Sequence, residues 1–240
     1  MTVRAFWLAW QFLTRFPVPA VGFDGPTAGR SLLCYPLVGL LLGGLLSGLA
    51  ASLTGTPAYL LAGILLTAWV LATGALHLDG LADCADAWVG GHGDRERSLR
   101  IMKDPAAGPV AVCLLVLILL LKWAALTALL ERHDPSPLWT APLLGRTAIL
   151  LLMLTAEYVS PAGLAATWLA HADFRAMRWT VGAALLLALG LSGWLPLLAA
   201  GLVLWWLRRA ALARLGGVTG DVYGAAVELV ETTVLLAVAL

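Results

Sequence analysis

Charged residues are scarce in this 240-residue chain. Asp, Glu, Lys and Arg together make up 12% of it, whereas a typical soluble domain contains about 25%. Hydrophobic residues make up 61%. So few charges and so much apolar sequence exclude an ordinary soluble fold and indicate a polytopic integral membrane protein.

Other absences narrow the range of functions. The formal net charge is only +1, so the chain lacks the excess of basic residues that nucleic-acid binding requires. Its three cysteines, Cys34, Cys84 and Cys113, are too few and too scattered for a disulfide framework. The chain has no Gly-x-Ser-x-Gly motif, no Walker A motif and no His/Cys set at zinc spacing, so the common covalent and nucleotide-binding signatures are missing.

Long apolar runs predict membrane-spanning helices, since a span needs about 20 apolar residues to cross a hydrocarbon core roughly 30 Å thick. The runs are 32–53, 58–76, 106–130, 138–156 and 222–240. The stretch 179–207 is too long for one straight span, and Gly193 and Pro196 interrupt it, so it predicts either a short hairpin or one kinked span. Residues 5–14 lack a signal-peptide cleavage site and predict an interfacial amphipathic helix.

The basic residues are distributed asymmetrically around these runs. If 77–105 is cytoplasmic and 179–207 is a hairpin, Arg132 lies outside and Lys122 and Arg146 lie within spans, which leaves twelve of the fifteen basic residues on the cytoplasmic side. This is a strong positive-inside signal. We therefore expect an all-α fold: a single integral-membrane domain, 1–240, of about seven transmembrane segments plus the amino-terminal interfacial helix.

Three carboxylates and a histidine follow the second apolar run, in the string HLDGLADCAD at 77–86. On a helix, Asp79, Asp83 and Asp86 fall within roughly 60° of arc on one face. Crowded carboxylates repel one another unless a cation or a proton lies between them, and Mg²⁺ prefers such oxygen ligands. The string therefore predicts a magnesium site, in which His77 is either a helix cap or a base.

A second group of acidic residues lies at the start of the last predicted helix and further along it. Thr219, Gly220 and Asp221 form a good helix start whose free amides face an anion. Asp221 and Glu228 are seven residues apart and share a face, with Glu231 further round. An ionisable group inside a span costs about 2.5–3.5 kcal/mol. The glutamates therefore imply a partner or a polar cavity, unless they lie at a frayed helix end.

Together with the flanking basic residues, the two acidic groups predict metal-assisted phosphoryl transfer. Arg146, inside a span, either snorkels to the interface or contacts a phosphate, and Lys122 presents the same choice. Two alternatives are weaker. A CDP-alcohol phosphotransferase would need an arginine that DGLAD at 79–83 lacks, and a secondary transporter would use Glu228 and Glu231 as carriers but show an inverted repeat.

Over nearly its whole length the sequence resembles the adenosylcobinamide-GDP ribazoletransferase, or cobalamin synthase, family. The resemblance is carried by FLTRFPVP at 12–19, YPLVGLLLG at 35–43, HLDGLAD at 77–83, IMKD at 101–104, Gly145-Arg146 and TGDVYGAAVELVE at 219–231. One departure follows Asp104, where the chain reads PAAGP instead of the family's usual pattern of a Ser/Arg-type residue, an apolar residue and glycines.

The resemblance implies a Mg²⁺-dependent, multi-pass enzyme of the bacterial inner membrane with a cytoplasmic active site. It implies that adenosylcobinamide-GDP is joined to α-ribazole or its 5′-phosphate, with release of GMP and formation of adenosylcobalamin or its 5′-phosphate. We expect contact with the lipid bilayer, no nucleic-acid partner, and a homo-oligomer or a complex with other cobalamin-assembly enzymes.

Residue roles follow from the resemblance and the acidic pattern together. The predicted catalytic residues are His77, Asp83 and Asp86. The predicted Mg²⁺ ligands are Asp79, Asp83, Asp86, Asp221 and Glu228. The predicted substrate contacts are Arg15, Arg100, Lys103, Asp104, Arg146, Thr219, Gly220 and Glu231.

Overall fold

The computed structural model describes residues 2–160 and 163–240. These residues form twelve α-helices: α1 (Val3–Leu13), α2 (Gly25–Ser31), α3 (Tyr35–Ser52), α4 (Ala58–Thr73), α5 (Leu76–Gly90), α6 (Arg95–Ile101), α7 (Pro109–Glu131), α8 (Ser136–Thr155), α9 (Leu164–Ala170), α10 (Phe174–Ser192), α11 (Trp194–Leu215) and α12 (Gly220–Ala239). A short 3₁₀ turn, Leu32–Cys34, joins α2 to α3. The all-α prediction is confirmed.

Among the described residues, six segments are long and apolar enough to cross a membrane. They are the unit Gly25–Ser52, which contains α2 and α3, and the helices α7, α8, α10, α11 and α12. The pair α4 and α5, bent by 87°, counts as a seventh if it is taken as one broken span. The prediction of about seven transmembrane segments is therefore confirmed.

The stretch 179–207 belongs to two helices. Helix α10 ends at Ser192 and α11 begins at Trp194, with Gly193 between them at φ +73°, a backbone conformation that favours glycine. The helices have 19 and 22 residues, so at 1.5 Å per residue each is about 30 Å long. The prediction of one kinked span is therefore wrong. The alternative prediction, a short hairpin, has the right number of helices, but these helices are longer than it expected.

A sharp bend separates α4 from α5. Gly74 and Ala75 both adopt left-handed backbone conformations, with φ of +62° and +57°. The amides of these two residues donate to the carbonyls of Leu71 and Val70, which closes the end of α4. The apolar run predicted at 58–76 therefore stops early, and α5 turns away at 87° to pack against α7 and α12.

Helix α12 is the centre of the bundle and packs against α5, α7, α8 and α11. Helices α7, α10 and α11 lie further out and expose large apolar side chains such as Leu117, Leu186 and Trp205, as lipid-facing helices do. The predicted amino-terminal helix is present as α1, whose Leu8 and Leu13 are buried while Val3 is exposed.

A buried network of four charges joins α7 and α8 to α12. Lys122 Nζ lies 2.6 Å from Glu228 Oε2 and 2.7 Å from Glu231 Oε2, and Arg146 pairs with the other oxygen of Glu231. All four residues are at least 95% buried, and Lys122 also lies over the Trp69 ring. Two cations and two anions leave the network neutral, and they supply the partner that the intramembrane glutamates were expected to need.

Removing one member of this network should destabilise the protein. In the Lys122→Met variant, Glu228 loses its ion-pair partner, and an unpaired buried charge costs about 3–5 kcal/mol. We expect a clear fall in the thermal unfolding midpoint of the detergent-solubilised protein, with part of the loss recovered in Lys122→Met/Glu228→Gln. Arg178→Met, at an exposed position, is the control. Equal midpoints for Lys122→Met and the wild type would show that the network does not stabilise the fold.

Candidate active site

A cavity of about 330 Å³ lies where the start of α5 meets the start of α12. Its polar lining includes His77, Asp79, Lys103, Ser160, Thr219 and Asp221, together with the backbone of Gly80, Gly220 and Gly224. The two strings that carry the predicted chemistry, HLDGLAD and TGD, thus face one space although they are far apart in the sequence.

Two glycines allow α5 and α12 to touch backbone to backbone. A Cβ added to Gly80 would lie 2.7 Å from the Asp221 carbonyl oxygen and 3.2 Å from the Gly224 Cα. A Cβ added to Gly224 would lie 3.2 Å from the His77 carbonyl oxygen. Since real Cβ atoms do not approach other atoms as closely as 2.7 Å, only glycine fits at position 80 without a shift of the helices.

The close approach brings three carboxylates into one electrostatic environment. Asp83 lies within Coulombic range of Asp79 and Asp221, and Asp221 within range of Asp79. Asp79 is exposed, and the other two are half-buried. In the described part of the chain none of the three forms an ion pair with a Lys, Arg or His side chain. Their mutual repulsion therefore favours binding of a cation.

Carboxylate oxygens are suitable ligands for a hard cation, but these carboxylates do not form a complete coordination site. Among residues 2–160 and 163–240, no three His, Cys, Asp or Glu side chains converge closely enough to hold a metal ion by themselves. Mg²⁺ normally keeps several waters and takes substrate phosphate oxygens alongside one or two carboxylates. An open acidic cluster beside a cavity is consistent with that mode of binding.

Asp86, predicted with these aspartates, has a different partner. Its carboxylate accepts hydrogen bonds from the Gly108 amide at 2.5 Å and from the Ala111 amide at 3.0 Å. These amides belong to the first turn of α7, where a carboxylate is stabilised by the helix dipole. Asp86 does not line the cavity. The segment that departs from the family pattern, 105–109, therefore contains one of the amides that Asp86 binds.

His77 is buried, with 3% of its surface exposed, and it lines the cavity. The alternative that it caps a helix is wrong, because Ala75 occupies the N-cap position of α5. Its Nε2 atom has no hydrogen-bond partner in the described structure. This buried nitrogen therefore has an unused hydrogen-bonding capacity.

The other predicted contacts are divided between the cavity and its surroundings. Lys103, Thr219 and Gly220 line the cavity. Arg100 lies 3.9 Å from Glu96 on the exposed face of α6, and Asp104 accepts a hydrogen bond from the Ala106 amide. Three further predicted substrate contacts also lie outside the lining: Arg15 is beside Gly74 at the α4–α5 bend, and Arg146 and Glu231 belong to the buried network. Glu228, a predicted Mg²⁺ ligand, belongs to the same network.

Sequence reasoning missed the aromatic part of the lining, which consists of Phe12, Tyr35, Tyr158, Trp168 and Tyr223. Phe12, Tyr35 and Tyr223 lie within the strings that carry the family resemblance, which is a signal that could have identified them. Trp168 and Tyr158 have no such signal, since tryptophans in this chain are typical of the membrane interface.

Tyr158 is positioned by the only β-like contact in the described residues. The Val159 amide donates to the Val218 carbonyl, and the Val218 amide donates to the Glu157 carbonyl, at 2.9 and 2.8 Å. This parallel bridge sets Tyr158 beside Tyr223, with the ring centroids 5.9 Å apart. Burial raises the pKa of the Tyr158 hydroxyl, so at neutral pH it remains a neutral hydrogen-bonding group.

Comparison with known proteins decides the family. The profile of the cobalamin-5-phosphate synthase family matches residues 5–239. The chain belongs to this family. It is 54% identical to an adenosylcobinamide-GDP ribazoletransferase of Pseudomonas paraeruginosa over 99% of this chain and 98% of the relative. It is likewise 53% identical to one from Pseudomonas aeruginosa over the same shares, and 54% identical to one from Pseudomonas putida over 98% of each chain.

The family assignment confirms the resemblance seen in the sequence, and it makes the protein a transferase. No solved structure matches the chain. The cavity, with the family's two signature strings on its wall, is therefore the candidate active site.

The glycine contact can be tested directly. Gly80→Ala should push α5 and α12 apart, and since a displacement near 1 Å can cost on the order of 100-fold in rate, we expect transferase turnover to fall by roughly that factor. The control is Gly190→Ala in α10, where an added Cβ meets nothing within 4 Å, and where alanine is the better helix former. Wild-type turnover in Gly80→Ala would show that the close approach is not needed for activity.

Proposed function

We propose that this protein joins adenosylcobinamide-GDP to α-ribazole or its 5′-phosphate, releasing GMP and forming adenosylcobalamin or its 5′-phosphate, by Mg²⁺-dependent phosphoryl transfer. The observation that carries the proposal is the meeting of Asp79 on α5 with Asp221 on α12 at one cavity. Asp83, one turn further along α5, is within Coulombic range of both, and none of the three is paired with a cation among the described residues. The names of the relatives support the substrates.

Asp79, Asp83 and Asp221 are the residues that would hold Mg²⁺. A bound Mg²⁺ would neutralise the diphosphate of the donor and the charge that develops on the leaving GMP. We leave Glu228 out of the ligand set, because Lys122 already neutralises it at 2.6 Å. Asp86 supports the site indirectly, since it ties the end of α5 to the start of α7.

The remaining polar residues bind and orient the substrates. The ribazole 3′-hydroxyl attacks the phosphorus nearer the corrinoid, and His77 Nε2, unpartnered at the cavity, accepts its proton. Lys103 lines the cavity at the end of α6, where its ammonium stabilises phosphate charge. The amides at the start of α12, beside Thr219 and Gly220, bind a phosphate oxygen and benefit from the helix dipole.

The basic residues support a cytoplasmic location for the cavity in the bacterial inner membrane. Arg95 Nε donates to the Leu215 carbonyl at 2.7 Å, and Arg214 donates to the Trp88 carbonyl at 2.6 Å. The arginine-rich α6, whose Leu99 lines the cavity, therefore lies against the basic end of α11, which leads into the cavity-lining start of α12. By the positive-inside rule this end of the bundle faces the cytoplasm.

The metal role of Asp83 is the direct test. In Asp83→Asn one charged ligand is lost. Since even outer-shell changes weaken metal affinity roughly 10- to 100-fold, the Mg²⁺ concentration for half-maximal GMP release should rise by at least that factor. Asp173→Asn is a matched control, because Asp173 caps α10 and does not line the cavity. Unchanged rate and unchanged Mg²⁺ dependence in Asp83→Asn would remove this residue from the metal site.

The same assay separates this enzyme from a transporter. The glutamates that a transporter would use as carriers, Glu228 and Glu231, are already paired with Lys122 and Arg146. We expect the detergent-solubilised protein, which encloses no compartment, to release GMP when both substrates and Mg²⁺ are present. Absence of GMP under these conditions would contradict the proposed reaction.

A further inference from the structure

Part of the cavity plays no role in the phosphoryl transfer proposed above. There Phe12 of α1, Tyr35 of α3 and Trp168 of α9 pack against one another, with ring centroids 4.5 Å apart for Phe12–Trp168 and 6.5 Å for Tyr35–Trp168. The three side chains come from three separate helices and line the same cavity as Asp79 and Asp221. Together, Phe12, Tyr35 and Trp168 form the aromatic wall of the cavity.

The aromatic wall contains buried polar atoms with no partner. Tyr35 Oη and Trp168 Nε1 make no hydrogen bond within the described structure, although their side chains are only 1% and 3% exposed. Tyr223 Oη, on the same cavity, is also unpartnered. Buried polar groups are nearly always hydrogen-bonded. Several orphaned groups around one cavity therefore point to a ligand that supplies their partners.

The chemistry of the wall describes that ligand. Aromatic faces favour stacking with a flat ring, and Trp168 Nε1 can only donate a hydrogen bond. A planar heterocycle with an accepting ring nitrogen meets both requirements. The carboxylates on the cavity lining, Asp79 and Asp221, already belong to the proposed metal site. The wall thus offers donors but no carboxylate acceptor side chain.

Two bases in the reaction have a flat heterocyclic ring, the benzimidazole of α-ribazole and the guanine of the donor. Guanine presents N–H donors along its pairing edge. These donors are best matched by a carboxylate acceptor, and the aromatic wall contains no carboxylate. Benzimidazole attached to ribose has one accepting nitrogen, to which Trp168 Nε1 can donate, and otherwise apolar edges, which suit the neighbouring Ile149 and Met153. The ribose hydroxyls of the same nucleoside offer a partner to Tyr35 Oη. The volume of about 330 Å³ lies at the small end of ligand pockets and suits a nucleoside better than a corrinoid.

We propose that the aromatic wall is the binding pocket for the benzimidazole base of the nucleoside acceptor, with Trp168 and Tyr35 as specificity-determining residues. The inference rests on the proposed function. With the base against the wall, the ribose extends toward the part of the cavity lined by His77 and Asp221, where its hydroxyl reacts.

Steady-state kinetics with each substrate varied in turn tests the pocket. Trp168→Phe and Tyr35→Phe each remove one hydrogen-bonding group and keep an aromatic ring. A lost neutral hydrogen bond corresponds to roughly a 3- to 10-fold loss of binding, so KM for α-ribazole should rise by that factor. KM for adenosylcobinamide-GDP and kcat should stay within about twofold. The controls are Trp139→Phe and Tyr59→Phe, at aromatic residues outside this cavity.

Two results would overturn the proposal. A rise in KM for adenosylcobinamide-GDP with no change for α-ribazole would place the donor's guanine or corrinoid at the wall. Unchanged KM values for both substrates would show that the wall contacts neither. If Trp168→Phe does not fold, Tyr35→Phe, which removes a single oxygen atom, still decides the question.

Direct binding separates this proposal from the reaction itself. Equilibrium dialysis of α-ribazole with the solubilised wild-type protein, without donor or Mg²⁺, should show saturable binding that weakens in Trp168→Phe and is not displaced by GMP. Binding of α-ribazole without any GMP release in the full assay would contradict the proposed function but still support the proposed pocket. GMP release without such binding, or displacement of α-ribazole by GMP, would contradict the proposed pocket but still support the proposed function.

Discussion

The site depends on one close contact, the approach of the α5 backbone to the α12 backbone at Gly80 and Gly224. Any side chain at position 80 would have to occupy space that the Asp221 carbonyl fills. Because the helices touch, carboxylates from distant parts of the sequence share one cavity. Their repulsion opposes this arrangement, and the helix packing that enforces it therefore creates a strong preference for a cation.

Five of the acidic residues on α5 and α12 fall into two groups with different physical roles. Glu228 and Glu231 lie deep in the bundle, where Lys122 and Arg146 neutralise them and fasten α12 to α7 and α8. Asp79 and Asp221 line the cavity, Asp83 lies within Coulombic range of both, and none of the three has an ion-pair partner among the described residues. Paired charges inside a span can hold helices in register, whereas unpaired charges at its end remain available to a ligand. The network thus positions the very helix that presents Asp221.

Much of this architecture was predictable from the sequence, because apolar runs of fixed length predict spans and helical spacing predicts which acids share a face. The direction of a helix after a bend was not, since hydropathy says nothing about the left-handed backbone at Gly74 and Ala75. Spacing also could not show that Asp86 binds the α7 amides. That carboxylate shares a face with Asp79 and Asp83, and only tertiary packing brings the start of α7 against it. Trp168 belongs to no motif, and its role depends on three helices meeting.

The combination of an acidic cluster and an aromatic wall in one small cavity explains why a membrane bundle suits this chemistry. Helices α1, α3 and α9 bury aromatic side chains at the same end of the bundle where α5 and α12 present carboxylates. An apolar surface and a charged one are thereby held at a fixed distance by rigid helices, which orients a substrate with a flat base at one end and a reacting hydroxyl at the other. The arginines of α6 and α11 lie together near the carboxyl end of α5, and Leu99 of α6 lines the cavity. In the proposed reaction this basic surface attracts the polyanionic donor. Under the two proposals, each substrate is recognised by a different physical force, stacking for the acceptor and electrostatic attraction for the donor.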